Sequence, residues 1–174
     1  IPKLIDWAKR FDRDGVLTSQ IGGVEAVLDD PNWSKFIKSL WDDIDEGVRL
    51  KIFENFIVNS ALIGMARQKK VKDEHGCSVP WAILMDPTSA CNLHCTGCWA
   101  AEYGNKLNLT YEEMDDIVNQ AKALGTYVYL FTGGEPLVRR KDIIRLCEAH
   151  PDCVFSAFTN GTLIDEEFAD DMPV

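Results

Sequence analysis

The sequence predicts an α/β protein in which an α-helical N-terminal region, residues 1–78, precedes a domain with a parallel sheet, residues 79–174. Two observations predict this class. Apolar residues recur at helical spacing before residue 79, whereas after it short apolar runs alternate with amphipathic stretches in the order β-α-β-α-β-α. Because such units form parallel sheets with right-handed crossovers, we expect one sheet covered by helices.

The N-terminal region carries no recognisable catalytic motif. Its predicted helices present apolar residues at helical spacing, namely Trp33, Phe36, Ile37, Leu40, Trp41, Ile44, Val48, Ile52, Phe56, Ile63 and Met65. The basic run 69–72 ends this pattern, and residues 72–80 are the predicted linker. We expect a helical layer that packs on the following domain, and a surface for a partner or a lipid is the alternative.

The second domain divides into three β/α units. Thr110 and Glu113 form a capping box at the start of one predicted helix, and Gly125 ends it. Three strands are too few to close a barrel, so we expect these units to be the first half of a larger β/α domain. The predicted strands are 81–86, 127–132 and 153–159, and the predicted helices are 109–125, 140–150 and 165–172.

The charge distribution argues against nucleic acid as the main partner. The net charge is −10, and residues 81–174 carry 15 acidic and 6 basic side chains, whereas phosphate binding needs clustered Lys and Arg. No transmembrane segment is predicted, since the most apolar stretch, 52–66, contains Glu54, Asn55 and Asn59. With no secretory signal, we expect a cytoplasmic protein whose six cysteines are reduced thiols or metal ligands.

Unusual residues follow each predicted strand. The first strand enters a loop with Cys91, Cys95 and Cys98, the second enters "TGGEP" (132–136), and the third enters "TNGT" (159–162). Because ligands gather at the carboxyl ends of parallel strands, we expect these loops to form one site.

The three cysteines predict a metal or iron–sulfur site, since thiolates bind soft metals and clusters. A structural zinc site needs a fourth protein ligand. His94 is awkwardly placed to complete it, and the remaining candidates are Cys77, Cys147 and Cys153. Cys147 is predicted on a helix and Cys153 at the amino end of a strand, which is the wrong end for this loop. Neither is therefore well placed as the fourth ligand, and zinc is kept as an alternative. A four-iron cluster held by three cysteines leaves one iron open to an outside ligand.

The glycine pair of "TGGEP" lets a ligand approach the backbone, and its carbonyls can accept hydrogen bonds from an ammonium group. Glu135 adds a carboxylate, and Pro136 favours an extended Glu135. Asn160 of "TNGT" lies where it can contact the same ligand. A plain turn remains the alternative for both loops.

Cys91-x3-Cys95-x2-Cys98 after one strand, with "GGEP" after the next, resembles the radical S-adenosylmethionine (SAM) superfamily over residues 80–174. The resemblance implies the N-terminal half of a partial (β/α)6 barrel, a partial TIM barrel. It implies a [4Fe–4S] cluster on the three cysteines, with SAM on the fourth iron. Gly133, Gly134 and Glu135 would receive the methionine amine. Gly97 stands where the family often has an aromatic residue near adenine, so the candidates for that contact are the backbone at Gly97 and the Trp99 side chain.

The implied activity is reductive cleavage of SAM to a 5′-deoxyadenosyl radical, which abstracts hydrogen from a substrate. The implied partner is an external electron donor of flavodoxin or ferredoxin type, and Arg139, Arg140 and Lys141 are a candidate docking contact. The substrate is left open among a peptide, a lipid such as a polyprenoid derivative and a small metabolite. We expect this chain to be inactive alone. The alternative is a zinc-stabilised or iron–sulfur electron-transfer module without SAM chemistry.

Overall fold

The computed structural model describes residues 30–172. These residues fall into two compact units that divide after Arg49. The helices predicted before residue 30 lie outside the described part of the chain. In the first unit, α1 (Pro31–Asp43) confirms the helical prediction, and α2 (Glu46–Ile52) begins after Asp45 in this unit and ends in the second.

The first unit has side-chain caps at both helix starts. The Asp30 carboxylate accepts a hydrogen bond from the Asn32 amide at 2.8 Å, and the Asp45 carboxylate accepts one from the Gly47 amide at 2.7 Å. The Arg49 guanidinium lies 4.9 Å from the centre of the Trp41 ring.

The second unit begins with a helical segment that departs from the predicted apolar face. A π-helix spans Phe53–Gly64 and is followed by α3 (Met65–His75). The buried residues of the π-helix are Asn55, Ser60 and Gly64, whereas Phe56 and Ile63 are exposed, and so is Ile52 just before it. The predicted face is therefore wrong here, because π-helical bonding replaces the 3.6-residue spacing on which the prediction depended.

The end of this helical segment was also predicted too early. α3 continues beyond residue 72 to His75 and ends at Gly76, whose φ of 68° lies in the left-handed region. The connection to the sheet is correspondingly shorter than the predicted linker.

The sheet has three strands, which are parallel as predicted, and their order in the sheet is β1-β2-β3. Ala82 pairs with Val128, which pairs with Val154 on its other side. The strands are β1 (Ala82–Thr88), β2 (Val128–Gly133) and β3 (Val154–Ala157), which is shorter than predicted. The helices are α4 (Tyr111–Leu124), α5 (Arg140–Ala149) and α6 (Glu166–Asp171), with 3₁₀ turns at Trp99–Tyr103 and Pro136–Arg139.

The predicted caps of α4 are confirmed. The Glu113 amide donates to the Thr110 hydroxyl at 3.1 Å, and the Glu113 carboxylate accepts from the Thr110 amide at 2.7 Å. Gly125 ends the helix with a φ of 100°. Of the apolar residues spaced along α4, Met114, Val118 and Ala121 are buried and Ile117 is partly buried, whereas Leu124 is exposed.

The core lies on one face of the sheet. Met85, Tyr129 and Phe131 are buried there against Met114 and Leu146 of the helices. On the strands, alternate side chains point to opposite faces. Leu84 is 64% exposed and Phe158, just past β3, is 67% exposed. Within the described residues, helices therefore cover one face of the sheet and leave the other open.

The helical segment 53–75 packs at the amino ends of the strands. The Asn55 side-chain amide donates to the carbonyls of Pro151 at 3.0 Å and Cys153 at 2.9 Å, just before β3. Gly64 lies against the Gly125 backbone, and Gln68 donates to the Gly125 carbonyl at 2.8 Å. These contacts confirm the predicted helical layer for this segment. No helix within residues 30–172 is long and apolar enough to cross a membrane.

Candidate functional site

The loops after β1 and β2 are joined by their backbones. The Gly134 amide donates to the Thr88 carbonyl at 3.0 Å, and the Glu135 amide donates to the Ala90 carbonyl at 2.8 Å. A Cβ at Gly134 would lie 2.2 Å from the Ala90 oxygen, and one at Gly133 would lie 2.7 Å from the Thr88 oxygen. The glycine pair therefore lets the loop after β1 approach closely. The sequence had predicted these glycines only as a place where a ligand could approach.

The Glu135 carboxylate joins the loops after β2 and β3. Its side chain is only 1% exposed. One oxygen accepts from the Thr159 hydroxyl at 2.8 Å and the Leu137 amide at 2.9 Å, and the other accepts from the Asn160 amide at 2.8 Å. Glu135 is extended, as predicted from Pro136, with φ −107° and ψ 108°. Three donors thus stabilise a buried carboxylate that would otherwise be costly to bury.

The loops after β1 and β3 are joined by side chains. The Asn160 side-chain amide donates to the Asn92 side-chain carbonyl at 2.9 Å. The Asn92 amide in turn donates to the Thr162 hydroxyl at 2.7 Å. Since Asn92 lies between Cys91 and Cys95, these bonds fix the cysteine loop directly. The sequence prediction missed Asn92 and Thr162, and no local motif could have shown their pairing.

The three predicted cysteines line one cavity together with Gly134. Cys91 is half-buried, and Cys95 and Cys98 are exposed free thiols. Among residues 30–172, no three His, Cys, Asp or Glu side chains surround a single metal ion position. A structural zinc ion needs such a tetrahedral group, whereas a four-iron cluster binds each thiolate at a different iron. Three thiols around one cavity suit three irons of such a cluster, and the His94 side chain lines the same cavity.

The other cysteines lie away from this cavity. Cys147 is on α5 and Cys153 directly precedes β3, as predicted, and both are buried. Burial raises the pKa of each of these two thiols to about 12. Cys77 is exposed just after α3.

A second cavity adjoins the first, and Ser89 and Ala100 line both. Gly133 and Trp99 contribute to its wall. The Trp99 ring is 57% exposed and meets the Tyr103 ring edge-to-face, with 5.7 Å between ring centres. This cavity also contains Asp86, at the end of the apolar run 81–86, which the sequence prediction did not single out.

The basic residues after "GGEP" are held by the chain itself. Arg139 donates to the Leu109 carbonyl at 2.8 Å and pairs with Asp142 at 2.7 Å. Arg140 pairs with Asp165 at 2.8 Å. These contacts explain two of the three basic residues of the predicted docking contact without an external partner.

Several curated enzymes are similar to residues of this chain. It is 38% identical over 95 residues to an Fe-coproporphyrin III synthase of Methanosarcina barkeri, covering 50% of this chain and 23% of that protein. It is 38% identical over 97 residues to a GTP 3′,8-cyclase of Geobacter sulfurreducens, covering 51% and 29%. An AdoMet-dependent heme synthase of Methanosarcina barkeri is 28% identical over 97 residues, covering 53% and 28%.

The matched stretch thus spans between 23% and 29% of the length of these three relatives. No solved structure matches the chain significantly. The family model described as the Radical SAM superfamily matches residues 85–173, which include the second half of β1, all of β2 and β3, and all three loops of the site. The chain belongs to the radical SAM superfamily.

Proposed function

We propose that this chain carries the cofactor-binding part of an enzyme that reductively cleaves SAM. The observation that carries the proposal is the cavity in which Cys91, Cys95 and Cys98 meet Gly134 at the carboxyl end of the sheet. When bound there, a [4Fe–4S] cluster supplies the electron that splits the SAM sulfonium into methionine and a 5′-deoxyadenosyl radical for hydrogen abstraction.

Each residue of the site has a proposed task. The three cysteine thiolates would hold three irons, and the backbone carbonyls of Gly133 and Gly134 would accept hydrogen bonds from the SAM ammonium. The exposed Trp99 ring would cover the adenine. Glu135 and Asn160 would hold the loops in place and would not contact SAM directly, since their polar atoms already form hydrogen bonds to neighbouring loops.

The open face of the sheet supports our proposal of a partial (β/α)6 barrel, of which these three units would be the N-terminal half. Exposed Leu84 and Phe158 on that face are apolar residues suited to the inside of such a barrel. We propose an external donor of flavodoxin or ferredoxin type and a reducing, cytoplasmic location suited to a thiolate-held cluster. The relatives' names include an Fe-coproporphyrin III synthase and a GTP cyclase, so we propose that the substrate is selected outside the matched stretch.

The test is anaerobic purification and reconstitution, followed by absorption and electron paramagnetic resonance spectra with and without SAM. We expect a brown protein whose reduced-cluster signal shifts when SAM is added. A colourless protein with one zinc per chain would support the zinc module instead. A brown protein that ignores SAM would indicate an electron carrier. We expect the isolated 174-residue chain to cleave SAM far more slowly than the natural protein containing it.

A further inference from the structure

The second cavity contains a carboxylate, that of Asp86, beside Gly133. The pairing of β1 with β2 shifts register between Met85 and Thr88, which is where Asp86 lies. Such irregularities re-aim side chains and occur next to active sites. A Cβ at Gly133 would lie 3.0 Å from the Asp86 Cβ and 3.2 Å from its carboxyl carbon. The missing side chain at Gly133 therefore gives the Asp86 carboxylate its place.

The two carboxylates near the glycine pair differ in availability. Glu135 is buried, and both of its oxygens accept hydrogen bonds from the chain. Asp86 is exposed, and throughout residues 30–172 no hydrogen bond or ion pair engages its carboxylate. Lys106 lines the same cavity without pairing to it. Asp86 is thus the carboxylate that can meet an incoming cation without first breaking an internal contact.

We propose that Asp86 binds the methionyl ammonium of SAM and that Glu135 is a positioning residue for the loops. The inference rests on the proposed function, which brings this ammonium to the carbonyls of Gly133 and Gly134. The Asp86 cavity adjoins the cysteine cavity through Ser89 and Ala100, so one ligand can reach both. A carboxylate beside a backbone carbonyl gives a local negative potential that favours an ammonium group.

The test is the Asp86→Asn variant of the natural protein that contains this chain, with its cluster reconstituted. Calorimetry would measure the dissociation constants of SAM, of S-adenosylhomocysteine and of 5′-methylthioadenosine. The first two carry the ammonium, only SAM has the sulfonium charge, and the third has neither. We expect the variant to bind SAM and S-adenosylhomocysteine about tenfold more weakly and 5′-methylthioadenosine unchanged.

The matched control is Asp73→Asn, which makes the same change of charge at an exposed position on α3 and should alter none of the three constants. Unchanged binding of all three ligands by Asp86→Asn would overturn the proposal. So would weakening of SAM alone, which assigns Asp86 to the sulfonium, or equal weakening of all three, which assigns it to the adenosine. A wild-type protein without a SAM-sensitive cluster would refute the proposed function itself, so the two failures are distinguishable.

Discussion

The two ends of the sheet hold cysteines in opposite environments. At the amino end, Cys153 directly precedes β3 and lies close to Cys147 of α5; both are buried, and burial raises the pKa of both thiols. At the carboxyl end, Cys91, Cys95 and Cys98 lie half-buried or exposed around one cavity. Residue type alone thus does not distinguish structural thiols from candidate ligands. In this sheet they are distinguished by whether the cysteine lies at the amino end or at the carboxyl end of the strands.

The two ends also use polar side chains differently. At the amino end, Asn55 donates to backbone carbonyls and closes the end of the sheet. At the carboxyl end, Glu135, Asn92 and Asn160 bond loops to one another and leave the cavity between them open. The difference supports the proposal that the carboxyl end holds a ligand, whereas the amino end is closed by packing.

Replacing any cysteine of the carboxyl end should have the largest effect. We expect Cys91→Ala, Cys95→Ala and Cys98→Ala each to lose the reconstituted cluster, because each thiolate is proposed to hold a separate iron. Iron analysis and visible absorption would measure the loss. Cys147→Ala is the matched control and should retain iron. Full iron content and SAM response in Cys98→Ala would contradict the division between the two ends.

Adding one methyl group to the glycine pair should disrupt the carboxyl end next most strongly. In Gly134→Ala the new Cβ would lie 2.2 Å from the oxygen and 2.6 Å from the carbon of the Ala90 carbonyl, which are backbone atoms. We expect the free energy of unfolding to fall by about 3 kcal/mol in urea titrations.

The control for this substitution is Gly161→Ala, where the φ of 74° is strained for alanine but nothing lies within 4 Å of the new Cβ. A loss of about 1 kcal/mol is expected there from backbone strain alone. Equal losses in both variants would show that the close approach of the Ala90 carbonyl does not require glycine at position 134.

Removing the Asn55 side chain should weaken the amino end while sparing the site. Asn55→Ala leaves the carbonyls of Pro151 and Cys153 without this donor, and we expect a loss of about 2 kcal/mol in the free energy of unfolding. Cluster content and the response to SAM should stay at wild-type levels. The control is Asn119→Ala, an exposed asparagine of α4. Loss of the cluster in Asn55→Ala at temperatures where the variant stays folded would show that the two ends are coupled.

The two buried thiols should make the free energy of unfolding depend on pH in alkaline solution. The ordinary pKa is 9.0, and burial raises the pKa of Cys147 and of Cys153 to about 12. Between these values the unfolded chain releases thiol protons that the folded chain keeps, so stability falls as pH rises from about 9 to 12. Each thiol adds a slope of up to about 1.4 kcal/mol per pH unit. Unfolding titrations of wild type and Cys147→Ala should differ by one such slope, and parallel curves would contradict the assigned burial.

Much of the fold follows from local sequence signals. The capping box of Thr110 and Glu113 and the stop at Gly125 define α4, and apolar runs define the three strands. The buried face of residues 53–64 does not follow, since π-helical spacing buries Asn55 and Ser60 in place of Phe56. That choice depends on carbonyls 96 and 98 positions away, which no local period can show.

The same limit applies to the site. Spacing predicted the three cysteines and the glycine pair, and the structure brings Gly134 to the cysteine cavity. The partners of Glu135 depend on how β2 and β3 align, and the availability of Asp86 depends on the register shift in β1. The one sequence signal for Asp86 was its position, since it is the single polar residue of the otherwise apolar run 81–86.

The bonds of Asn92 have a consequence for biogenesis. Its partners Thr162 and Asn160 are 70 and 68 positions further along the chain, so these bonds cannot form until β3 has joined the sheet. We therefore expect the proposed cluster to be acquired by a chain that has already folded, not by the emerging polypeptide. Pulse-labelling with iron during synthesis would test that order of maturation.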